Sequence, residues 1–339
     1  MILHTTHSIK FSIAFITLFL GLACARIAPP EGWSGGLMAN DTLYIGTDSG
    51  EVLALNPDTG ETVRKEGGPL WKFSMPDREN EERRRSIYGT PAISNNTLFV
   101  GGYDGTLYAL SLDLNDIKGT ERLAGSIVGG PSVVGNVVIV GSSDGNLYAF
   151  DVTEEIAGRI TFNQKWLFQT GHKIWSHPVV SEDIIYFGSM DHNIYALALE
   201  TGDLVWKFET NGAIVASPII FKDSLFIGSF DRNFYSIDTE TGEEIWRFTE
   251  ANNWFWGQAI ISDTQVFAPS LDGNLYALDI ETGDLLWTLN TNGPVVGSPA
   301  VVFDMIAIPS SDKKIRLATL QDGDDVGDCN IGESIITPL

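Results

Sequence analysis

Cysteine is nearly absent from this chain of 339 residues: Cys24 and Cys329 are the only two. Two thiols make no disulfide framework, so stability is expected to come from packing. Cations are scarce too. Lys and Arg number 21 against 44 Asp and Glu, a formal net charge of −23. Phosphate backbones are bound by concentrated Lys and Arg, which excludes nucleic acid as a partner. The one basic cluster, Arg83, Arg84 and Arg85, directly follows "ENEE" and is read as a self-paired, solvated loop. Compact catalytic signatures are missing as well. There is no nucleophile elbow, no phosphate loop and no metal-spaced pair of histidines on a helix. His172 and His177 stand five apart with no third nitrogen or thiolate nearby, which does not make a zinc site.

Long apolar runs are also lacking. The longest, "FSIAFITLFLGLACA", covers 15 residues after the polar "MILHTTHSIK", short of the ~20 that cross a bilayer but right for the core of an export signal. Residues 1–25 are therefore read as a signal peptide or lipoprotein signal, and 26–339 as a single domain with an acidic C-terminal segment from about 321. "ACA" fits an ordinary cleavage site, whereas "GLAC" resembles a bacterial lipobox that would lipidate Cys24. The second reading is preferred. It makes the mature protein extracytoplasmic and attached to the membrane by one N-terminal anchor.

What the chain has in plenty is repetition. "SMDHNIYALALETGDLVWKF", "SFDRNFYSIDTETGEEIWRF" and "SLDGNLYALDIETGDLLWTL" are three copies of one sentence. The Asp that opens each copy falls at 48, 104, 144, 191, 231, 272 and 312, and four of the six intervals are 40 or 41 residues. Insertions at 60–70, at 74–87 and at "EEIAGRI" account for the two long ones. Each copy holds an apolar run, an Asp turn, an alternating "LYALD" strand, an "ETG" turn and a strand ending in Trp. About a dozen residues later a Pro starts the next unit. Four short strands repeated seven times predict an all-β, seven-bladed β-propeller of four-stranded antiparallel blades, with eight blades as the alternative. Trp71, Trp166, Trp206, Trp246 and Trp287 hold one fixed place on the outer strands and are read as wedges between blades, as is fitting for a side chain that buries ~150–250 Å². Blade two lacks this Trp, and the last outer strand is assigned either to 331–337 or to 25–30.

The pattern G-S-x-D-G-x-L-Y-A-L-D-x-x-T-G-x-x-x-W over residues 33–320 resembles the pyrroloquinoline-quinone-type repeat. The resemblance implies one of two branches. One comprises quinoprotein dehydrogenases, with eight blades, a longer chain, adjacent cysteines and a calcium-binding acidic residue beside a catalytic Asp. The other comprises non-catalytic propellers, including the lipoprotein of the outer-membrane β-barrel assembly machine. This chain has no Cys-Cys pair and no large insertion, so it is closer to the second. The expected function is a monomeric, non-catalytic scaffold that binds a protein or peptide of the cell envelope, without a cofactor. The alternative is a quinoprotein oxidoreductase holding pyrroloquinoline quinone with calcium at the channel mouth.

Candidate binding residues follow from spacing. One position before each inner-strand Pro, or its equivalent, stand Ser34, Thr90, Gly130, His177, Ser217, Gln258 and Ser298. Two residues earlier stand Gly32, Tyr88, Val128, Trp175, Val215, Trp256 and Val296. Strand alternation points both sets the same way. Tyr88, Thr90, Trp175, His177, Trp256 and Gln258, with His172, Trp254 and Phe255, are expected to gather at one mouth of the channel. Blade packing does not require these aromatics. No catalytic residue is assigned. A last candidate, "DGDDVGDCNIGE", sets Asp322, Asp324, Asn330 and Glu333 at calcium-loop positions, although Val326 occupies the fifth, where an oxygen is expected.

Overall fold

A computed structural model describes residues 35–64, 68–76 and 85–330. Its strands form seven four-stranded antiparallel sheets in simple sequence order, covering residues 37–74, 92–122, 132–169, 179–209, 219–248, 260–290 and 300–330. These are the blades of a seven-bladed propeller. Blade five is representative, with strands Ile219–Phe221, Ser224–Gly228, Phe234–Asp238 and Glu244–Phe248. Its two central strands are nearly all buried because each of their faces meets a neighbouring blade. Apolar clusters fill six successive seams, from blades one and two through to blades six and seven. The seventh outer strand is Asp325–Asn330, antiparallel to Lys314–Thr319. Neither of the two segments assigned to that strand from sequence supplies it.

The repeated indoles sit where one blade meets the next. The Nε1–H of Trp166 donates to Leu199 O at 2.9 Å, that of Trp206 to Thr239 O at 2.8 Å and that of Trp246 to Ile280 O at 3.2 Å. Each acceptor lies in the following blade. The ring face is closed off by the glycine of that blade's "ETG" turn. A Cβ on Gly202 would come 2.6 Å from Trp166, one on Gly242 2.6 Å from Trp206 and one on Gly283 2.5 Å from Trp246. These glycines also hold left-handed φ values of 73 to 75°, so two independent constraints exclude a side chain there. Gly323 covers Trp287 in the same way, though the Trp287 N–H is buried without a partner.

Blade two, which has no such Trp, solves the seam differently. Gly119 pairs with Ala109 at the wedge position, and Ile160 of blade three lies directly over it. Ile160 comes from an elongated hairpin, Asn146–Glu154 with Ile160–Gln169. The "EEIAGRI" insertion thus lengthens two strands so that one of them replaces the missing indole.

The turn aspartates are structural. One oxygen of Asp231 accepts the Asn233 N–H at 2.9 Å, closing the turn, and the other accepts the Tyr235 hydroxyl at 2.6 Å. The same carboxylate–phenol bond recurs in Asp104–Tyr108, Asp144–Tyr148, Asp191–Tyr195 and Asp272–Tyr276 at 2.7 to 2.9 Å. In blade seven Arg316 replaces the phenol, its Nη2 donating to Asp312 at 2.7 Å. Asp191, Asp231 and Asp272 also accept the backbone N–H of Gly171, Asn211 and Asn252, which pins the loop entering each of those blades.

Candidate binding site at the channel mouth

The loops that enter each blade build the site. Each carries an apolar residue that plugs the gap beside the preceding blade: Ile87, Ile127, Ile174, Ile214, Phe255 and Val295 are all 0% exposed. The fit is close because the facing strand offers glycine. A Cβ on Gly188 would strike Ile214, and one on Gly228 would strike Phe255. Once the plug is seated, extended backbone turns the next side chain the other way, toward the axis. Those next residues are Tyr88, Val128, Trp175, Val215, Trp256 and Val296, and all six line one cavity of about 710 Å³. Two positions on, Thr90, Gly130, His177, Ser217, Gln258 and Ser298 line it as well. Such a volume lies within the ~300–1,000 Å³ of small-molecule pockets.

Of the mouth residues expected from spacing, Tyr88, Thr90, Trp175, His177, Trp256 and Gln258 come together here. His172 and Trp254 do not line the cavity, and Phe255 is a plug in the core beside Phe234 and Tyr276. His172 is exposed on its loop, where its carbonyl accepts the Thr170 hydroxyl at 2.6 Å. Trp254 stacks on Phe230, centroids 4.4 Å apart and planes 12° from parallel. Phe230 in turn meets Trp256 at 5.4 Å, and Trp256 meets Trp175 across the mouth at 6.4 Å with a 52° tilt. The result is an aromatic ladder leading into the cavity, with Trp254 44% and Trp256 37% exposed.

Spacing from the Pro missed one set of contributors. The residue between Ser and Asp in the Gly-Ser-x-Asp turn points to the same mouth. Tyr103 and Leu271 line the cavity, Phe230 carries the ladder, and Ser143 Oγ accepts the Trp175 N–H at 3.1 Å. The signal was present in the sequence. This x varies between copies whose flanking positions hardly change.

Hydrogen bonds knit the polar ring from blade to blade. His177 N–H donates to Ser217 Oγ at 2.9 Å, and Gln258 N–H donates to Ser298 Oγ at 3.0 Å. His177 Nδ1 lies 2.8 Å from Gly130 O and Nε2 lies 3.1 Å from Ser132 Oγ. Because a carbonyl only accepts, Nδ1 carries a proton. Burial pushes the His177 pKa below its ordinary value, and the Gly130 bond opposes that only in part.

Neither a metal nor the quinone fits these residues. Among the described residues no three His, Cys, Asp or Glu side chains gather to hold an ion. Asp322 and Asp324 lie in the turn before the strand Asp325–Asn330, with Val326 at its bulge, and Asn330 ends that strand. Six strand residues span ~20 Å, so these oxygens are strung out instead of wrapped round a cation. Glu333 lies outside the described residues. Pyrroloquinoline quinone is a tricarboxylate, and the described lining contains no Lys or Arg to neutralise it. Cys24 also lies outside the described residues.

The arrangement has known counterparts. No curated protein sequence matches the chain. The crystal structure of BamB from Moraxella catarrhalis is similar with a TM-score of 0.71 at 19% identity, covering 89% of this chain and 87% of that one. The crystal structure of the computationally designed Ika8 protein is similar with a TM-score of 0.73 at 16% identity, covering 92% and 91%. The family described as outer membrane protein assembly factor BamB matches residues 34–155, 156–253 and 231–326, and the chain belongs to that family.

Proposed function

We propose that the chain is an exported, membrane-anchored, non-catalytic scaffold that binds a protein or peptide partner of the cell envelope through the loops at the channel mouth. The observation that carries this reading is the convergence of the non-repeated aromatics Tyr88, Tyr103, Trp175 and Trp256, from three blades, on one cavity, where blade packing asks for none of them. The family description, which names outer-membrane protein assembly, supports an envelope setting and a protein partner. Docking by the loops is favoured over strand addition at the rim. Six of the seven outer strands carry a bulge, and a bulged edge is a poor template for another strand. No observation favours the quinoprotein reading.

The test is site-specific photo-crosslinking in intact cells, with the photoreactive residue at Trp256 or at Phe303. Phe303 is 83% exposed on a turn at the opposite end of the strands. A defined partner captured from Trp256 and not from Phe303 supports the reading. Capture that ignores the face, or alcohol oxidation after addition of the quinone with calcium, overturns it. For the anchor, mass spectrometry of the mature protein is expected to show a lipid-modified N-terminal Cys24. A Cys24 thioether leaves no sulfur for Cys329 to pair with, so an intact disulfide between the two would refute lipidation.

A further inference from the structure

The chain carries a net charge of −23, yet the described cavity lining contains no Asp, Glu, Lys or Arg. Asp104, Asp144, Asp191, Asp231 and Asp272 at this end of the blades are committed elsewhere, each closing its turn and holding a Tyr hydroxyl. Lys173 stands 5.7 Å from the Trp175 ring centre and is not part of the lining. An ionised group that entered would lose water and find no counter-charge, whereas a neutral group would avoid that cost.

The polar groups that are present suit a neutral, amide-rich guest. Ser217 Oγ and Ser298 Oγ accept bonds from the backbone, which leaves each hydroxyl proton available to donate. Gln258 uses one N–H on Pro218 O at 2.9 Å, and its carbonyl oxygen is left to accept. Beside them Trp175 and Trp256 form a corner of two ring faces tilted by 52°, against which a third ring can pack edge-to-face or offset.

Building on the proposed docking function, we infer that the cavity takes an uncharged peptide segment and seats one aromatic side chain in the Trp175–Trp256 corner. Three matched probes test this on the full chain by calorimetry and saturation-transfer NMR: N-acetyl-tryptophanamide (neutral), N-acetyl-tryptophan (anionic) and tryptophanamide (cationic). The neutral probe is expected to bind at one saturable site, with each charged probe at least about tenfold weaker. Trp256→Ala should weaken the neutral probe about tenfold or more. Val296→Glu places a carboxylate in the lining and is expected to reverse the order, so that tryptophanamide binds best. That gain of binding cannot come from misfolding.

Equal affinity for the three probes, absence of saturable binding, or an order that Val296→Glu leaves unchanged overturns the inference. If the probes fail while crosslinking from Trp256 still captures its partner, the inference falls and the docking function stands. If the probes behave as expected while crosslinking ignores the face, the docking function falls and the cavity's preference stands.

Discussion

Replacing Gly242 by Ala tests the indole wedge quantitatively when set beside Gly135→Ala. Both glycines have left-handed φ, 73° and 61°, so both substitutions carry the ~1–2 kcal/mol that an L-residue loses in that conformation. Both also recover ~0.4–1 kcal/mol by stiffening the unfolded chain. They differ in space. A Cβ on Gly135 meets nothing within 4 Å, whereas one on Gly242 meets Trp206 Cδ2 at 2.6 Å and Cγ at 2.7 Å. The indole cannot retreat freely, because it is buried and its N–H is bonded to Thr239 O at 2.8 Å. Overpacking of this kind costs ~1–3 kcal/mol, so Gly242→Ala should destabilise by about 1–3 kcal/mol more than Gly135→Ala.

The assay is equilibrium urea unfolding followed by far-ultraviolet circular dichroism, which does not depend on the indole environment under test. The difference is read from the midpoints with a common slope. A double-mutant cycle localises the effect: in a Trp206→Phe background the smaller ring should remove most of the extra penalty. Equal costs for the two glycines, or an extra penalty that survives Trp206→Phe, would refute the claim that turn and indole are fitted to each other.

Two pH dependences follow from other bonds. Burial, with the Asp144 bond second, pushes the Tyr148 phenol up to about 12, and Tyr195, Tyr235 and Tyr276 are raised by the same two causes. Their contribution is complete below the unfolded value of about 10 and is lost as pH rises through the folded ones. Stability should therefore fall steeply above pH ~10, with phenolate absorbance appearing together with unfolding; phenolate formation in a still-folded protein would contradict this. His177 runs the other way. Its lowered pKa means that stability present above ~6.5 declines as pH falls below it. His177→Asn, which keeps a donor for Gly130 O, should flatten the slope between pH ~5 and ~7 in denaturant titrations, and an unchanged slope would assign the effect to other groups.

The fold was legible because one packing problem is solved repeatedly. Asp and Tyr four residues apart, the glycine of "ETG" and the Trp of the outer strand recur together, since phenol, glycine and indole each complete a contact supplied by another member of the set. The last outer strand was not legible for the same reason. Asp325–Asn330 carries none of the Trp, Leu or Phe that mark the other copies, and its Asp and Gly content reads as a turn or calcium loop. Only its antiparallel register with Lys314–Thr319 identifies it as a strand. Gly119 was equally opaque, because what replaces the indole above it is Ile160, supplied by a different blade.

The mouth was legible to the extent that alternation is rigid. Counting back from the Pro located the cavity lining because a buried plug fixes the backbone immediately before each lining residue. Counting did not select Phe255; residue type did, and it misled, because Ile, Val and Phe are interchangeable as plugs and Phe255 stands at an ordinary plug position. The contributions of Tyr103, Phe230 and Leu271 were hidden by the opposite error. They stand inside the most regular turn of the repeat, between a Ser or Gly and the turn Asp of their copy. In a ring of this kind the invariant positions are those a neighbouring blade must fit, so the position that varies within an otherwise fixed turn is the one facing the shared axis, where no neighbouring blade constrains it.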